Sequence, residues 1–178
     1  AADLKWLADP AEEPEPFGDG GTKMAWNTFN VVSIYPNGNP VMSDVNQRWV
    51  GDCCACAVIA SMAYLYPRFV KHIIKDNMDK TYTVTMYDPK GKQISVGVGG
   101  DYFIGNSGDL GALGGRNKEV TWATILEKAM IKWNQIYQGS SNVGGIGTEY
   151  VSAIFTGDGE SVGFGANALI AEDLQRAV

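Results

Sequence analysis

The sequence predicts an α+β fold, because two segments with helical spacing flank one strand–turn–strand pattern. Residues 53–65 are almost all apolar or small, and residues 121–137 place their apolar side chains along one side of a helix. Residues 81–87 and 93–98 alternate between apolar and polar side chains on either side of a turn. A chain of 178 residues is long enough for one good core or two small lobes.

Composition narrows the class of protein. The net charge is −6, charged residues make up 19% and hydrophobic residues 45%, which is typical of a globular chain. There is no basic patch, so we expect no nucleic-acid partner. No apolar run reaches the ~18–20 residues of a membrane span and no signal peptide is visible, so we expect no membrane partner. The missing N-terminal methionine favours a processed or trimmed chain, and the compartment stays open between secreted, cell-surface and cytoplasmic.

Residues 1–30 differ in character from the rest and are predicted to be an acidic, proline-rich N-terminal extension. Within them, residues 9–16 combine prolines with acidic side chains and should be extended and exposed. Residues 31–178 are predicted to form a single lobe. The side chains expected to anchor the extension to that lobe are Trp6, Leu7, Phe17, Trp26 and Phe29.

The lobe is expected to begin with a short strand and a pair of helices. The strand is predicted over residues 30–34. Asp52 is a favourable N-cap, which places Cys53 at the first position of a helix. Because residues 53–65 are apolar on all faces, we expect that helix to be central and buried, with a second helix over 68–77.

The second half of the lobe alternates regular elements with glycine-rich loops. Two acidic residues in this half, Glu127 and Glu149, have no reason to converge and are interpreted as solvated. The predicted elements are a hairpin over 81–98, a loop over 99–115, a helix over 121–137, a loop over 139–147, a short helix over 148–155 and a helical tail around 168–177.

The three cysteines are the main candidates for a reactive group in this chain. They stand at positions 53, 54 and 56, too close together to build a disulfide framework. A helix N-terminus stabilises a thiolate through its dipole and free N–H groups, which favours Cys53 as a nucleophile. The N–H of Cys53 and the side-chain amide of Gln47, six residues upstream, could then stabilise a tetrahedral oxyanion. Such donors contribute about 3–4 kcal/mol each.

The segment around Cys53 resembles the nucleophile segment of the calpain family of papain-like cysteine peptidases. That segment has the form Gln-Gly-x-Leu-Gly-Asp-Cys-Trp. Here it reads Gln47-Arg48-Trp49-Val50-Gly51-Asp52-Cys53-Cys54. The spacing from glutamine to cysteine agrees, whereas arginine replaces a glycine, valine a leucine and cysteine a tryptophan.

Later landmarks of the same family follow in the same order. The hairpin over 81–98 comes first. The run from Trp122 to Ala129 follows, and it closely resembles Trp-x-x-Leu-Leu-Glu-Lys-Ala. Tyr137, Gly144-Gly145 and Phe155-Thr156-Gly157 come after them. Roughly residues 31–160 therefore resemble the helical lobe of the calpain protease core. This implies a papain-like fold whose second, β-rich lobe is missing from this chain.

The resemblance implies a cysteine endopeptidase that acts on proteins or peptides. Cys53 would be the nucleophile and Gln47 the oxyanion donor. Gly144 and Gly145 would bind the substrate backbone, a use of glycine that depends on close approach. Asp44 lies where the family has an acidic calcium ligand, so calcium is the one cofactor that the resemblance suggests, and none is required.

A thiol peptidase of this kind also needs a histidine to accept the proton and an asparagine to orient it. The only histidine, His72, falls on the predicted second helix and is interpreted as a surface or helix-packing residue. The resemblance therefore implies that the catalytic histidine and asparagine come from a second chain or from a missing downstream segment.

Three other interpretations of the cysteines remain open. Cys53, Cys54 and Cys56 could be small apolar residues of a core helix, which suits the latter two best. They could bind a metal, although a closed zinc or iron–sulfur site needs four ligands with loop spacing. The chain could also be a catalytically inactive calpain-like module that binds peptides or proteins, since two positions of the motif are replaced.

Overall fold

The computed structural model describes residues 2–19 and 22–158, and within them helices and antiparallel strands are mixed along the chain. This confirms the α+β class. The helices are α1 (Ala2–Ala8), α2 (Cys53–Leu65), α3 (Pro67–Ile73), α4 (Trp122–Gln138) and α5 (Thr148–Thr156), with a 3-10 turn at Met42–Asp44. The strands are β1 (Gly18–Asp19), β2 (Thr22–Lys23), β3 (Ala25–Thr28), β4 (Ile74–Asp76), β5 (Tyr82–Tyr87), β6 (Gln93–Val98) and β7 (Asp101–Ile104).

The predicted hairpin is confirmed as β5 and β6, which pair antiparallel from Tyr82↔Val98 to Tyr87↔Gln93. Its apolar side chains at alternate positions are buried, as the period of two requires. The prediction of a second helix over 68–77 is wrong at the C-terminal end. The helix stops at Ile73, and β4 then pairs with β5 at the hairpin edge. The β-branched side chain of Ile74 fits this strand, where it faces Val84.

The prediction of a strand over 30–34 is also wrong. The strand in this region is β3, which pairs with β7 inside the predicted loop over 99–115. Trp26 faces Phe103 in this pairing, and their rings stack with centroids 3.9 Å apart. Because β3 and β7 are far apart in the sequence, the local pattern around either strand does not reveal the pairing.

Helix α4 is confirmed and forms the centre of the core. Thr121 is its N-cap and accepts a hydrogen bond from the N–H of Ala123 at 3.3 Å. Gly139 ends the helix in the left-handed region, at φ 74°. Every residue from Trp122 to Asn134 is buried. The core is therefore built around the longest helix of the described residues.

Helix α2 begins at Cys53 as predicted, but the expectation that it is buried on all faces is wrong. Only Ala55, Ile59, Met62 and Ala63 are buried. The side chains on the opposite side have no covering element among the described residues, and their spacing puts them on one face of the helix. This open face consists of Cys53, Ala57, Ser61, Tyr64 and Leu65.

The N-terminal segment 2–17 packs along α4 and β6. Leu7 is fully buried, and the other expected anchors are partly buried against the core. Lys132 of α4, which is itself fully buried, donates hydrogen bonds to the carbonyl oxygens of Asp9 at 2.9 Å and Gly97 at 2.8 Å. Lys128 forms an ion pair with Glu13 at 2.6 Å. Two lysines of α4 thus hold this segment in place.

The predicted helical tail around 168–177 lies outside the described residues. No single helix within the described part of the chain is long and apolar enough to cross a membrane. Helices α2 and α3 together reach that length and composition, but they are bent by 112°.

Candidate functional site

Cys53 stands at the exposed first position of α2. Asp52 occupies the N-cap position, but its side chain makes no capping hydrogen bond. The first intrahelical bond runs from the N–H of Cys56 to the carbonyl oxygen of Asp52 at 3.0 Å. The N–H groups of the first turn are therefore left without the usual side-chain acceptor, and they point toward the end of the helix where the Cys53 thiol lies.

The structure separates the three thiols. Cys54 is half-buried, and burial together with the adjacent Cys53 raises the pKa of its thiol. Cys56 is also half-buried, and its thiol donates to Oδ1 of Asp52 at 3.5 Å. Burial and the Asp52 carboxylate raise the pKa of Cys56 far above that of a free thiol. Cys53 is the one of the three thiols that is open to solvent.

The loop before Cys53 is held by backbone bonds to residues 110–115. Asn46 and Gly114 exchange hydrogen bonds of 2.9 and 3.3 Å, and the N–H of Trp49 donates to Gly111 at 3.1 Å. The guanidinium of Arg48 donates to the carbonyl oxygen of Gly115 at 2.6 Å. Arg48 thus stabilises the conformation of this loop.

Gln47 lies exposed on this loop, as its proposed role requires, but its amide already has a partner. Nε2 of Gln47 donates to the carbonyl oxygen of Val50 at 2.9 Å. An amide nitrogen carries two hydrogens. One N–H of the Gln47 amide is therefore used by Val50, and the other is left to donate to a further acceptor.

The two glycines that were predicted to bind substrate lie beside the segment that precedes Cys53. The N–H of Gly145 donates to the carbonyl oxygen of Gly51 at 3.1 Å. Gly145 has a φ of 74°, in the left-handed region that favours glycine. Gly144 and Gly145 line a pocket of about 330 Å³ together with Trp133. The structure thus joins residues 144–145 to the segment that carries Cys53, although Cys53 does not line this pocket.

Asp44, the predicted calcium ligand, is buried and hydrogen-bonded to three neighbours. Its side chain is 2% exposed, and both of its oxygens accept hydrogen bonds. The donors are the amide of Asn37 at 2.9 Å, the N–H of Val41 at 3.1 Å and the indole of Trp122 at 2.8 Å. Among the described residues there is no group of three or more acidic, histidine or cysteine side chains arranged to hold a metal. The Asp44 carboxylate thus fixes the start of α4, and its role as a calcium ligand stays a prediction.

His72 lies exposed on α3. It does not line any pocket that includes a residue of the open face or of the 144–145 loop. As the only histidine of the sequence, it leaves the described site without an imidazole near Cys53.

Glu127 is the residue of the site that the sequence did not reveal, and its interpretation as solvated is wrong. It is 1% exposed, and Oε2 accepts a hydrogen bond from the N–H of Leu113 at 2.8 Å. Burial and the neighbouring Asp52 carboxyl raise the pKa of Glu127 well above its usual range. One signal was available in the sequence. Glu127 stands four residues after Ala123 and four before Ile131, on a stripe that is otherwise apolar.

Comparison with known proteins gives no family for this chain. No protein-family model matches it, and no curated protein matches it at a significant level.

Proposed function

We propose that this chain is the nucleophile-bearing part of a calpain-like cysteine endopeptidase with a papain-like fold. Cys53 is the nucleophile, and the first-turn N–H groups of α2 with the amide of Gln47 stabilise the oxyanion. The catalytic histidine and asparagine come from a second chain or a downstream segment. The observation that carries the proposal is the exposed Cys53 thiol at the start of a helix whose N-cap side chain is turned away.

The reaction follows from these positions. The Cys53 thiolate attacks the scissile carbonyl carbon, so that a C–S bond forms and the carbonyl π electrons move to oxygen. The oxyanion collapses, the C–N bond breaks, and the imidazolium of the partner segment gives its proton to the leaving amine. Water then hydrolyses the thioester and restores the thiol. Gly144 and Gly145 line the pocket of about 330 Å³, where an extended substrate backbone could lie.

The open face of α2 supports the need for a second segment. It starts at Cys53 and continues through Tyr64, which is 73% exposed, and Leu65, which is 59% exposed. A large exposed apolar surface is typical of a site where protein packs against protein. A lobe that covered this face would lie next to the thiol, where a histidine could reach it.

A peptidyl reagent that alkylates thiols would test the proposal. We expect one label per chain, located on Cys53 by mass spectrometry, and no label in Cys53→Ala. Cys54→Ala is the matched control and should label like the wild type. A reagent with the same reactive group but no peptide should react more slowly with Cys53, because it lacks the contacts to residues 144–145.

The purified chain alone should not turn over peptide substrates, since it lacks a base. Addition of a companion chain that carries histidine and asparagine should restore cleavage. Cleavage by the 178-residue chain without a partner would contradict the split-site proposal.

A catalytically inactive calpain-like module that binds peptides or proteins is the second candidate. The bond between Gln47 and the carbonyl oxygen of Val50 favours it, because that amide is then not directed to an oxyanion. This candidate predicts that unreactive peptides bind near Gly144 and Gly145 while no peptidyl reagent labels Cys53. Selective labelling of Cys53 would exclude it.

A further inference from the structure

Two acidic side chains meet beneath Cys53 at the start of α2. Asp52 and Glu127 are each 1% exposed, and their carboxyl groups lie close enough for each to act on the pKa of the other. Oδ2 of Asp52 is buried and has no hydrogen-bond partner in the described part of the chain. Two buried carboxylates in contact repel each other strongly, so a contact of this kind requires a proton between them.

Among the described residues, the surroundings of the pair provide hydrogen bonds but no positively charged partner. Oδ1 of Asp52 accepts from the thiol of Cys56, and Oε2 of Glu127 accepts from the N–H of Leu113. The other titratable group nearby is the thiol of Cys53. Within residues 2–19 and 22–158, neither carboxyl belongs to an ion pair. Burial first, and the partner carboxyl second, raise the pKa of Glu127, while burial raises the pKa of Asp52.

The pair connects the parts of the candidate site. Asp52 belongs to the start of α2, Glu127 to α4, and Leu113 to the segment that pairs with the loop around Asn46. Because the Asp52 carboxyl is turned toward Glu127, it does not occupy the first-turn N–H groups. The same contact therefore fixes the helix start and leaves its donors available.

We propose that Asp52 and Glu127 are positioning residues that share one proton, and that this hydrogen bond holds the first turn of α2 and, with it, Cys53. The inference rests on the proposed function only in treating Cys53 as the reactive thiol. When the pH rises far enough, the shared proton passes to hydroxide and forms water, and the electron pair of the O–H bond stays on the carboxylate. The two carboxylates then repel each other and loosen the helix start.

The sign of the pH dependence follows from the raised pKa values. The stability that the pair contributes is fully present below the ordinary values of 3.8 for Asp52 and 4.5 for Glu127. It is lost as the pH rises through the values of the folded state, because the folded protein then has to release a proton that the unfolded chain released earlier.

Glu127→Gln is the sharpest variant, since glutamine reproduces the protonated glutamate. Its Oε1 can accept from Leu113, and its Nε2 can donate to Oδ2 of Asp52 without a proton that titrates. Glu127→Ala removes the partner and leaves Asp52 buried alone. Glu15→Gln removes one exposed charge and serves as the matched control.

Amide hydrogen exchange over residues 53–56, corrected for the intrinsic effect of pH, reports the position of the first turn. At low pH the wild type and Glu127→Gln should have equal protection. At alkaline pH the wild type should lose protection by roughly tenfold or more relative to Glu127→Gln, because a buried hydrogen bond has been lost. The ratio of the Cys53 alkylation rate by iodoacetamide in the wild type to that in Glu127→Gln should change at the same pH, because the ratio removes the pH dependence that every thiol shows. The Glu15→Gln control should follow the wild type in both measurements.

Infrared spectroscopy of the wild type provides a measurement that does not depend on any variant folding. At neutral pH we expect the C=O stretch of a protonated carboxylic acid, which disappears on alkaline titration and is absent in Glu127→Gln. No such band, or the same pH dependence of exchange in the wild type and Glu127→Gln, would overturn the inference. A third outcome separates the two proposals. If Cys53 does not react with peptidyl reagents, but the infrared band and the exchange results are as expected, the proposed function is wrong and the shared proton is still supported.

Discussion

Helices α2 and α4 contact each other in the core, yet α4 is covered on every side and α2 on only one. Helix α4 carries Glu127, Lys128 and Lys132, and all three are buried. Helix α2 has no charged residue, and five of its thirteen residues are exposed. The burial of a helix thus depends on the elements around it and not on its own apolarity alone.

The difference has a structural cause on each side. Around α4, the N-terminal segment, the hairpin and residues 110–115 supply carbonyl oxygens, N–H groups and an acidic partner for its charged side chains. Buried polar groups are tolerated where such partners exist. Around α2, the described residues cover one side, and the apolar side chains of the open face remain available to another segment.

The two sides of α2 should respond differently to the same loss of side-chain volume. Ile59→Ala should lower the free energy of unfolding by about 2–5 kcal/mol, because it leaves a cavity at a fully buried position. Leu65→Ala deletes the same number of carbon atoms from the open face. It should change the free energy of unfolding by no more than about 0.5 kcal/mol. Urea unfolding of both variants measures the difference. Equal losses would mean that the open face is covered in the isolated chain.

The packing of the N-terminal segment on α4 and β6 should depend on the absence of a side chain at Gly97. A Cβ there would lie 2.4 Å from the carbonyl oxygen of Ala8 and 2.6 Å from the nitrogen of Pro10. Gly97→Ala should therefore lower the free energy of unfolding by about 1–3 kcal/mol and expose the N-terminal segment to limited proteolysis. Gly100→Ala is the control, since its Cβ would lie at an ordinary 3.5 Å from Lys80. Equal protease resistance of both variants would contradict the packing described.

The buried ammonium of Lys132 should matter less, because its removal also removes a charge that is costly to bury. Lys132→Met should cost about 1–2 kcal/mol at neutral pH, since the carbonyl oxygens of Asp9 and Gly97 lose their donor. Lys75→Met, at an exposed position, is the control.

The stability difference between the wild type and Lys132→Met should depend on pH. Burial lowers the pKa of Lys132 from 10.5 to about 8. The unfolded chain then holds a proton between these values that the folded chain has lost, so the wild type should gain stability relative to Lys132→Met as the pH rises from 8 toward 10.5. A difference that stays constant over this range would show that the ammonium keeps its ordinary pKa.

The smallest effect is expected from calcium. The oxygens of Asp44 are already used by Asn37, Val41 and Trp122, so added calcium should leave the Tm of the chain unchanged. Thermal unfolding with calcium, magnesium or a chelator measures this. A rise in Tm that is specific for calcium and absent in Asp44→Asn would support the role that the calpain resemblance suggested.

The sequence was sufficient for elements whose pattern is local. The hairpin and α4 follow from the period of their apolar side chains, and the start of α2 follows from Asp52 before an apolar run. The pairing of β3 with β7 and the strand at Ile74 depend on partners distant in sequence, which no local pattern contains.

The candidate site divides in the same way. The exposure of Cys53 follows from its place at a helix start, and the approach of residue Gly145 to Gly51 agrees with the order of the motifs. The contact between Asp52 and Glu127 was not predictable, because an N-cap aspartate ordinarily turns to its own helix and a glutamate ordinarily faces water. The bond from Gln47 to Val50 is likewise a detail of one loop conformation.

The hydrogen bond between Lys132 and Asp9 has a consequence for how the chain folds. It joins residues 123 positions apart, so nearly all of the described chain must be made before it can form. Contacts of such long sequence separation close late, because the chain loses loop entropy before it gains the contact. We expect the hairpin to acquire amide protection first in pulse-labelled refolding and the N-terminal segment to acquire it last.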